Sequence, residues 1–187
     1  MPTWAVVIIV LAVVVLATVA AWAVLRKRRT QHLREQFGPE YRRTVAERGD
    51  QRDAEAELRE RERRREKLQI RPLEPAARER YVQSWRGVQG RFVDDPEGTI
   101  GEADALVTEV MRERGYPIED FEQRTADISV DHPEVVENYR AAHRISLASA
   151  EGRATTEDLR RATVHYRALF EELLDTPQQQ PVGERRR

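Results

Sequence analysis

The chain has 187 residues, a net charge of −1 and no cysteine, which excludes a disulfide scaffold, a thiol nucleophile, an iron–sulfur cluster and a thiolate zinc site. Its length suffices for one domain with an extension, rather than for two full domains. The charge is uneven, since residues 26–93 balance at +8 and residues 94–175 at −11, and this predicts a basic first half and an acidic second half.

Residues 4–25 form an uncharged run of 22 residues that is rich in Val, Ala and Leu. A helix of this length spans roughly 33 Å and can cross a hydrocarbon core of about 30 Å. Trp4 and Trp22 stand near its two ends, and indole rings prefer the headgroup region. We therefore predict a transmembrane helix, and we place residues 1–29 in a membrane-anchoring segment.

Four consecutive cations follow the apolar run: Arg26, Lys27, Arg28 and Arg29. No Lys or Arg precedes the run, so the positive-inside rule predicts an outside N-terminus and a cytoplasmic remainder. The four cations would contact the anionic headgroups of the bilayer. A cleaved signal peptide is the alternative, because Ala21-Trp22-Ala23 resembles a cleavage site. Against it, the positive charge lies after the run and the run is too long.

Residues 30–71 are predicted to form a polar helical stalk. The sequence Phe37-Gly38-Pro39 should interrupt its first part, because glycine can end a helix and proline can begin one. Residues 51–67 contain only three apolar side chains. We expect this helix to be solvated on all sides and supported by Glu–Arg pairs four residues apart.

Residues 72–175 are predicted to form a small helical bundle, because apolar residues recur there at spacings of three and four. The four stripes are Tyr81, Trp85, Val88 and Phe92; Ile100, Ala103, Val107, Val110 and Met111; Val136, Tyr139, His143 and Leu147; and Leu159, Ala162, Tyr166, Phe170 and Leu173. A short element is predicted around residues 121–128. No stretch alternates with the period of a strand, so the predicted fold class is all-α, and residues 176–187 are predicted to be a disordered tail.

Three capping signals mark the limits of the predicted helices. Asp95, directly before a proline, is typical of a helix start, and Gly115 is typical of a helix end. Asp131 and Glu134 have the spacing of a capping box and predict a helix that begins beside Asp131.

The histidines and carboxylates show no metal-binding pattern. None of the four histidines stands in Glu-x-x-His or His-x-x-x-His spacing, as helical metal sites require. Asp127, Ser129 and Asp131 imitate the start of a calcium loop, but His132 and Asn138 replace the required Gly and Glu. With no phosphate loop and no nucleophile elbow, we predict no metal, no cofactor and no enzymatic activity. An enzyme of unspecified chemistry is kept as a third class.

Two groups of residues are candidate functional sites in the bundle. His143 falls on an apolar stripe, where a buried imidazole would suit a pH sensor or a ligand site, the alternative being a structural core histidine. Glu171, Glu172 and Asp175 crowd the predicted end of the last helix, where the helix dipole opposes negative charge. A basic surface of a partner would compensate them, and simple solvation is the alternative.

Six segments carry a resemblance to a known family: residues 37–41, 111–117, 120–124, 129–143, 156–160 and 165–174. They resemble a family of actinobacterial single-pass proteins that are described as membrane or "secreted" proteins and have no assigned activity. The resemblance implies a bacterial inner-membrane setting, and it brings no catalytic or binding residue.

These observations together predict a membrane-anchored cytoplasmic helical scaffold that recruits a protein partner and is not catalytic. The predicted partners are a bilayer with anionic headgroups and a cytoplasmic protein. Nucleic acid is not among them, because glutamates interrupt the basic residues of the stalk. Ala17 and Ala21 carry only a weak signal for self-association. The alternative function is a small-ligand or pH-sensing bundle tethered to the membrane.

Overall fold

A computed structural model of the protein describes the backbone of residues 3–175 and the side chains of residues 11–175. The described residues contain seven α-helices and no strand: α1 (Thr3–Arg48), α2 (Gln51–Lys67), α3 (Pro75–Arg91), α4 (Pro96–Arg114), α5 (Phe121–Asp131), α6 (Val136–Ala150) and α7 (Thr156–Asp175). The predicted all-α class is confirmed. The side chain of Trp4 and the predicted tail 176–187 lie outside the described part.

No helix within the described part of the chain is both long enough and apolar enough to span a membrane.

Helix α1 changes direction at Gly38, where φ is 44° and ψ is −118°. Glycine suits this backbone conformation because it has no Cβ atom. The hydroxyls of Thr30 and Tyr41 both donate to Oε1 of Glu55, at 2.9 and 3.0 Å. Along a straight helix these two residues would lie about 16 Å apart. The chain therefore folds back on itself at Gly38, and the predicted interruption is confirmed.

The turn between α1 and α2 is made by a glycine and an aspartate. Gly49 has a φ of 72°, and Oδ1 of Asp50 accepts hydrogen bonds from the backbone N–H groups of Arg52 and Asp53, at 2.7 and 3.2 Å. The aspartate thus satisfies donors of the first turn of α2 that have no partner within the helix.

The predicted stalk is not solvated on all sides. Ala54 and Leu58 of α2 are fully buried, as are Leu33 and Phe37 of α1, and Tyr41 is 5% exposed. The pattern of α2 did not predict this burial because the helix contributes only two apolar side chains to it. The others belong to α1, where Leu33 and Phe37 lie four residues apart on one face before the kink and Tyr41 follows the kink.

The chain divides into two compact units, Met1–Arg59 and Glu60–Arg187. The first contains the predicted anchor and most of the predicted stalk. The second contains a continuous apolar core that is formed by α3, α4, α5, α6 and α7. Within this core, Trp85 of α3 stacks on Phe170 of α7, with ring centroids 4.7 Å apart.

The apolar stripes of the bundle are confirmed with few exceptions. Every predicted stripe residue of α4 and α7 is buried, and so are Tyr81, Trp85 and Val88 of α3. In α6 the stripe ends early, since His143 is half-buried and Leu147 is 53% exposed. The bundle core therefore follows the 3.6-residue period that the sequence displays.

Two of the three capping predictions are confirmed. Oδ1 of Asp95 accepts from the backbone N–H of Gly98 at 2.9 Å, and Gly115 ends α4 with a φ of 98°. The third is wrong, because Asp131 is the last residue of α5 and α6 begins at Val136 without a side-chain cap. Asp131 is instead engaged by side chains of other elements, as described below.

The connector between α2 and α3, residues 68–74, runs along the end of α4. The backbone N–H of Arg71 donates to the carbonyl of Arg114 at 2.9 Å. A Cβ atom on Gly115 would lie 2.6 Å from the carbonyl oxygen of Gln69, which is closer than non-bonded atoms approach. Glycine at this position therefore permits both the left-handed end of α4 and the close passage of the connector.

Candidate functional site

Polar and aromatic side chains from α4, α5, α6 and α7 surround His143, and we call them the aromatic cluster. Its members are Asp104, Thr108, Phe121, Arg124, Tyr139, His143 and Tyr166. The imidazole of His143 stacks on the ring of Phe121, with centroids 3.7 Å apart and planes inclined by 15°. The ring of Tyr139 lies 5.0 Å from Phe121 and 6.4 Å from Tyr166.

Helical spacing brings these side chains together. Three helices each contribute two residues that are three or four positions apart: Asp104 and Thr108, Phe121 and Arg124, and Tyr139 and His143. Such residues share one helix face. Hydrogen bonds then join the helices, since the hydroxyl of Tyr166 donates to Asp104 at 2.9 Å and Nη1 of Arg124 donates to Thr108 at 3.0 Å.

Three polar atoms of the aromatic cluster make no well-aligned hydrogen bond among the described residues, although Thr108 is a polar neighbour of the Tyr139 hydroxyl. They are the hydroxyl oxygen of Tyr139, Nδ1 of His143 and Nε of Arg124, and all three are buried. A buried polar group without a partner costs about 1–3 kcal/mol, so most such groups in proteins are paired. Three such atoms in one cluster, one of them on His143 itself, are suited to a small polar ligand or ordered water.

Burial controls the protonation of this cluster. It lowers the pKa of His143, and Arg124 acts in the same direction, while the carboxylates of Asp104 and Glu122 oppose it. Burial also raises the pKa of Tyr139 above its usual range. The imidazole and the phenol are therefore neutral at neutral pH, and the imidazole can take up a proton only under more acidic conditions than a solvated histidine.

The three acidic residues predicted as a partner surface each contact a basic side chain of this chain. The pairs are Glu171 with Arg167 at 3.8 Å, Glu172 with Nδ1 of His132 at 3.0 Å, and Asp175 with Arg78 at 2.7 Å. All three acids lie in the last two turns of α7, where the dipole opposes them. The compensating groups that we expected from a partner are thus already present within the chain.

Arginines of other helices also cap α7. Nη1 of Arg114, at the end of α4, donates to the carbonyl of Leu173 at 2.9 Å. Nε of Arg78 donates to the carbonyl of Leu174 at 3.4 Å. Arg114 is 3% exposed, and burial lowers the pKa of its guanidinium. No local sequence pattern indicates this role, because an arginine in the last turn of a helix ordinarily stabilises its own helix.

His132, which directly precedes Pro133, is 3% exposed. Burial lowers the pKa of His132, and the hydrogen bond with Glu172 opposes this effect. The neutral imidazole can therefore donate its Nδ1–H to the carboxylate.

The residues that imitate a calcium loop bind arginines of α2. The pairs are Arg61 with Ser129 at 3.2 Å, Arg64 with Asp127 at 3.7 Å, and Arg65 with Asp131. Asp131 also accepts from the hydroxyl of Tyr116 at 2.6 Å. Because this segment is helical as far as Asp131, it has no loop to wrap around a cation. Within the described residues, no group of three potential metal ligands comes together.

A third feature lies in the first unit, between α1 and α2, and we call it the arginine groove. It has a volume of about 560 Å³ and is lined by Trp22, Leu25, Arg26, Arg29, Leu33, Arg52, Glu55 and Arg59. The guanidinium of Arg26 lies over the ring of Trp22, 5.5 Å from its centroid. Lys27 and Arg28, also predicted to contact the membrane, are exposed outside this lining.

Glu55 holds the base of this groove together. Its Oε1 accepts hydrogen bonds from Thr30 at 2.9 Å, from Tyr41 at 3.0 Å and from Gln51 at 2.7 Å. Burial alone would raise the pKa of Glu55, but the three hydrogen bonds and the charge of Arg59 outweigh it and the pKa is lowered. The carboxylate is therefore ionised, and its Oε1 accepts from these neutral donors.

No protein-family model, no curated protein and no solved structure matches the chain.

Proposed function

We propose that the protein is a membrane-anchored helical interaction module of a bacterial inner (plasma) membrane, with its N-terminus outside and its helical bundle in the cytoplasm. In this proposal the apolar run at residues 4–25 is the anchor, and the four cations after it meet the anionic headgroups. The bundle then recruits a cytoplasmic protein, and no catalytic step is assigned to it. The family resemblance described above supports the same setting.

One observation carries most of this proposal. Helix α1 begins at Thr3 and continues without interruption through the apolar run and the four cations until Gly38. A continuous helix satisfies every backbone polar group internally, as a hydrocarbon core requires. The same helix would therefore serve as anchor and as the first wall of the arginine groove.

The acidic half of the chain supports the choice of a basic partner. Residues 94–175 carry a net charge of −11, and Glu171, Glu172 and Asp175 keep 65%, 49% and 68% of their side-chain surface exposed. Since each of the three contacts a basic side chain already, a partner would exchange these contacts for its own. We therefore expect a partner that approaches with several lysines or arginines.

Crosslinking in cells tests the recruitment. Full-length protein and a variant lacking residues 1–29 are crosslinked, purified and examined by mass spectrometry. A basic protein recovered in high yield only with the full-length form would support recruitment at the membrane. Recovery of the protein alone, or crosslinked only to itself, would contradict it.

Protease digestion in sealed vesicles tests the proposed membrane topology. A C-terminal epitope should be digested by protease in sealed inside-out vesicles, because the cytoplasmic face is then exposed. Protection of this epitope in the same vesicles, with digestion after detergent is added, would refute the proposed orientation.

A second candidate function is a bundle that binds a small polar ligand or senses pH, tethered in the same way. The three polar atoms of Tyr139, His143 and Arg124 that make no well-aligned hydrogen bond among the described residues favour it. A shift of the His143 ring resonances upon addition of a small-metabolite mixture, lost in His143→Leu, would support this function. Unchanged resonances across the mixture would leave the cluster as core packing.

A further inference from the structure

We infer that the arginine groove is a binding site for the phosphate headgroup of an anionic phospholipid. This inference rests on the proposed membrane anchoring and gives it a specific site. It differs from general attraction between a basic segment and a membrane, because it assigns the contact to side chains of two helices in a defined cavity.

The arginines of the groove carry positive charge that is largely unpaired. Four arginines line the groove, Arg26 and Arg29 from α1 and Arg52 and Arg59 from α2. Among the residues that the structure describes, Arg26, Arg29 and Arg52 take part in no ion pair, whereas arginines close by are paired with acids, as Arg48 is with Glu57. The groove therefore presents several cations whose charge is not neutralised by the protein.

The single acid of the lining offsets one of the four cations, since the charge of Arg59 acts on the Glu55 carboxylate and helps to lower its pKa. The carboxylate of Glu55 accepts hydrogen bonds from Thr30, Tyr41 and Gln51, so its oxygen is directed at neutral donors. Nε of Arg59 donates to the backbone carbonyl of Glu55 at 2.9 Å, which orients this guanidinium while leaving its outer nitrogens available. Glu55 thus fixes the groove and leaves Arg26, Arg29 and Arg52 to a ligand.

The guanidinium groups of the groove are suited to bind a phosphate group. Guanidinium groups bind phosphate oxygens through paired hydrogen bonds, with better geometry than an ammonium group provides. Guanidinium groups from two helices can surround a tetrahedral anion from two sides. The volume of about 560 Å³ lies in the range of small-ligand sites, and it is larger than one phosphate ion needs.

The apolar side chains of the groove indicate that the phosphate belongs to a lipid. The remaining lining residues are apolar, namely Trp22, Leu25 and Leu33, and the first two belong to the end of the apolar run of α1. A free phosphate ion gains nothing from apolar walls, whereas a lipid offers glycerol and the first methylene groups of its chains. Trp22 is also the residue type that prefers this depth of a bilayer. We therefore assign the site to a phospholipid.

Native mass spectrometry of the full-length protein tests the assignment. The protein is extracted from bilayers with equal amounts of phosphatidylglycerol and phosphatidylcholine, and the retained lipids are identified. We expect wild type to retain phosphatidylglycerol selectively. The variant Arg29→Gln with Arg52→Gln should lose this retention by about tenfold, since two cations at the anionic group are removed. Both side chains are exposed, so helicity by circular dichroism should not change.

The matched control is Arg42→Gln with Arg63→Gln, which removes the same charge from exposed positions that lie outside both the groove and the four cations that meet the headgroups. It should retain phosphatidylglycerol as wild type does. Equal losses in both double variants would overturn the assigned site, yet the anchoring would stand. Displacement of the lipid by millimolar inorganic phosphate would also overturn it, in favour of free phosphate. Release of the wild-type protein from membranes by alkaline carbonate would refute the anchoring itself.

Discussion

The hydroxyls of Tyr139 and Tyr166 lie in the same cluster, but they should respond in opposite ways to removal. The hydroxyl of Tyr166 donates to Asp104 at 2.9 Å, so Tyr166→Phe deprives a carboxylate of a donor. We expect a loss of about 1–2 kcal/mol in the free energy of unfolding. The hydroxyl of Tyr139 is buried and makes no well-aligned hydrogen bond, its polar neighbour being Thr108, so Tyr139→Phe should be neutral or stabilising by about 1 kcal/mol. Urea denaturation at neutral pH measures both.

A loss in Tyr139→Phe as large as in Tyr166→Phe would mean that the Tyr139 hydroxyl is satisfied in solution. Thr108, an ordered water molecule or a bound ligand would then be its partner. The comparison therefore also tests whether the Tyr139 hydroxyl has a partner in the folded protein.

The pH dependence of stability gives a second prediction at this scale. Because burial places the pKa of His143 below its ordinary value of 6.5, the unfolded chain takes up a proton before the folded one does. The contribution of His143 to stability is therefore complete above about pH 6.5 and declines as the pH falls below it. In His143→Leu this part of the decline should vanish. Urea denaturation at about pH 8 and about pH 5 measures the difference.

Burial lowers the pKa of His132 and of His165 as well, so part of the acid destabilisation should persist in the variant. The change in slope, rather than the absolute stability, is the relevant quantity. An identical slope in His143→Leu and wild type would show that His143 is solvated and would exclude it as a pH sensor.

At the scale of helices, the sequence predicted the buried face best where one helix carries a complete apolar stripe. The stripe of α7 is buried in full, because five apolar side chains at helical spacing define a face without help from other elements. Helix α2 shows the opposite case. Its buried face consists of Ala54 and Leu58, and their burial could not be read from α2 alone.

Local sequence patterns did not predict the long-range polar contacts, for a related reason. The spacing of Asp131 and Glu134 predicted a cap for the following helix, but Asp131 binds Arg65 and Tyr116. Arg65 stands 66 positions earlier in the chain, and no local pattern relates the two residues. Local spacing identified candidate residues such as His143, while their partners were visible only in three dimensions.

The kink of α1 gives a prediction at the scale of an element. Gly38 adopts a φ of 44° and a ψ of −118°, a conformation that costs an L-residue of order 1–3 kcal/mol. Gly38→Ala should lower the free energy of unfolding by that amount, and Gly90→Ala is a suitable control. Gly90 is helical, and a Cβ there would meet nothing within 4 Å. Thermal unfolding followed by circular dichroism should show a lower midpoint for Gly38→Ala only.

For the whole molecule, the separation of charge along the chain predicts how partner binding depends on salt. Residues 94–175 balance at −11, and attraction between exposed charges fades beyond a Debye length of about 10 Å at 0.1 M salt. The rate of association with a basic partner should therefore fall as salt rises, while the rate of dissociation changes less. Surface plasmon resonance with the captured partner at several salt concentrations measures both rates. A salt-independent association rate would contradict electrostatic recruitment.

The contacts of the connector between α2 and α3 determine where a reporter can be inserted without disrupting the fold. The hydrogen bond of Arg71 to Arg114 and the close approach of Gln69 to Gly115 hold the connector against the end of α4. Additional residues in the connector would therefore displace these contacts. A fluorescent reporter inserted after Gln69 should disrupt the bundle, although it would interrupt no helix. The turn at Gly152 is exposed, and a Cβ there would meet nothing within 4 Å. A reporter placed in that turn should leave the fold intact and allow the protein to be followed in living cells.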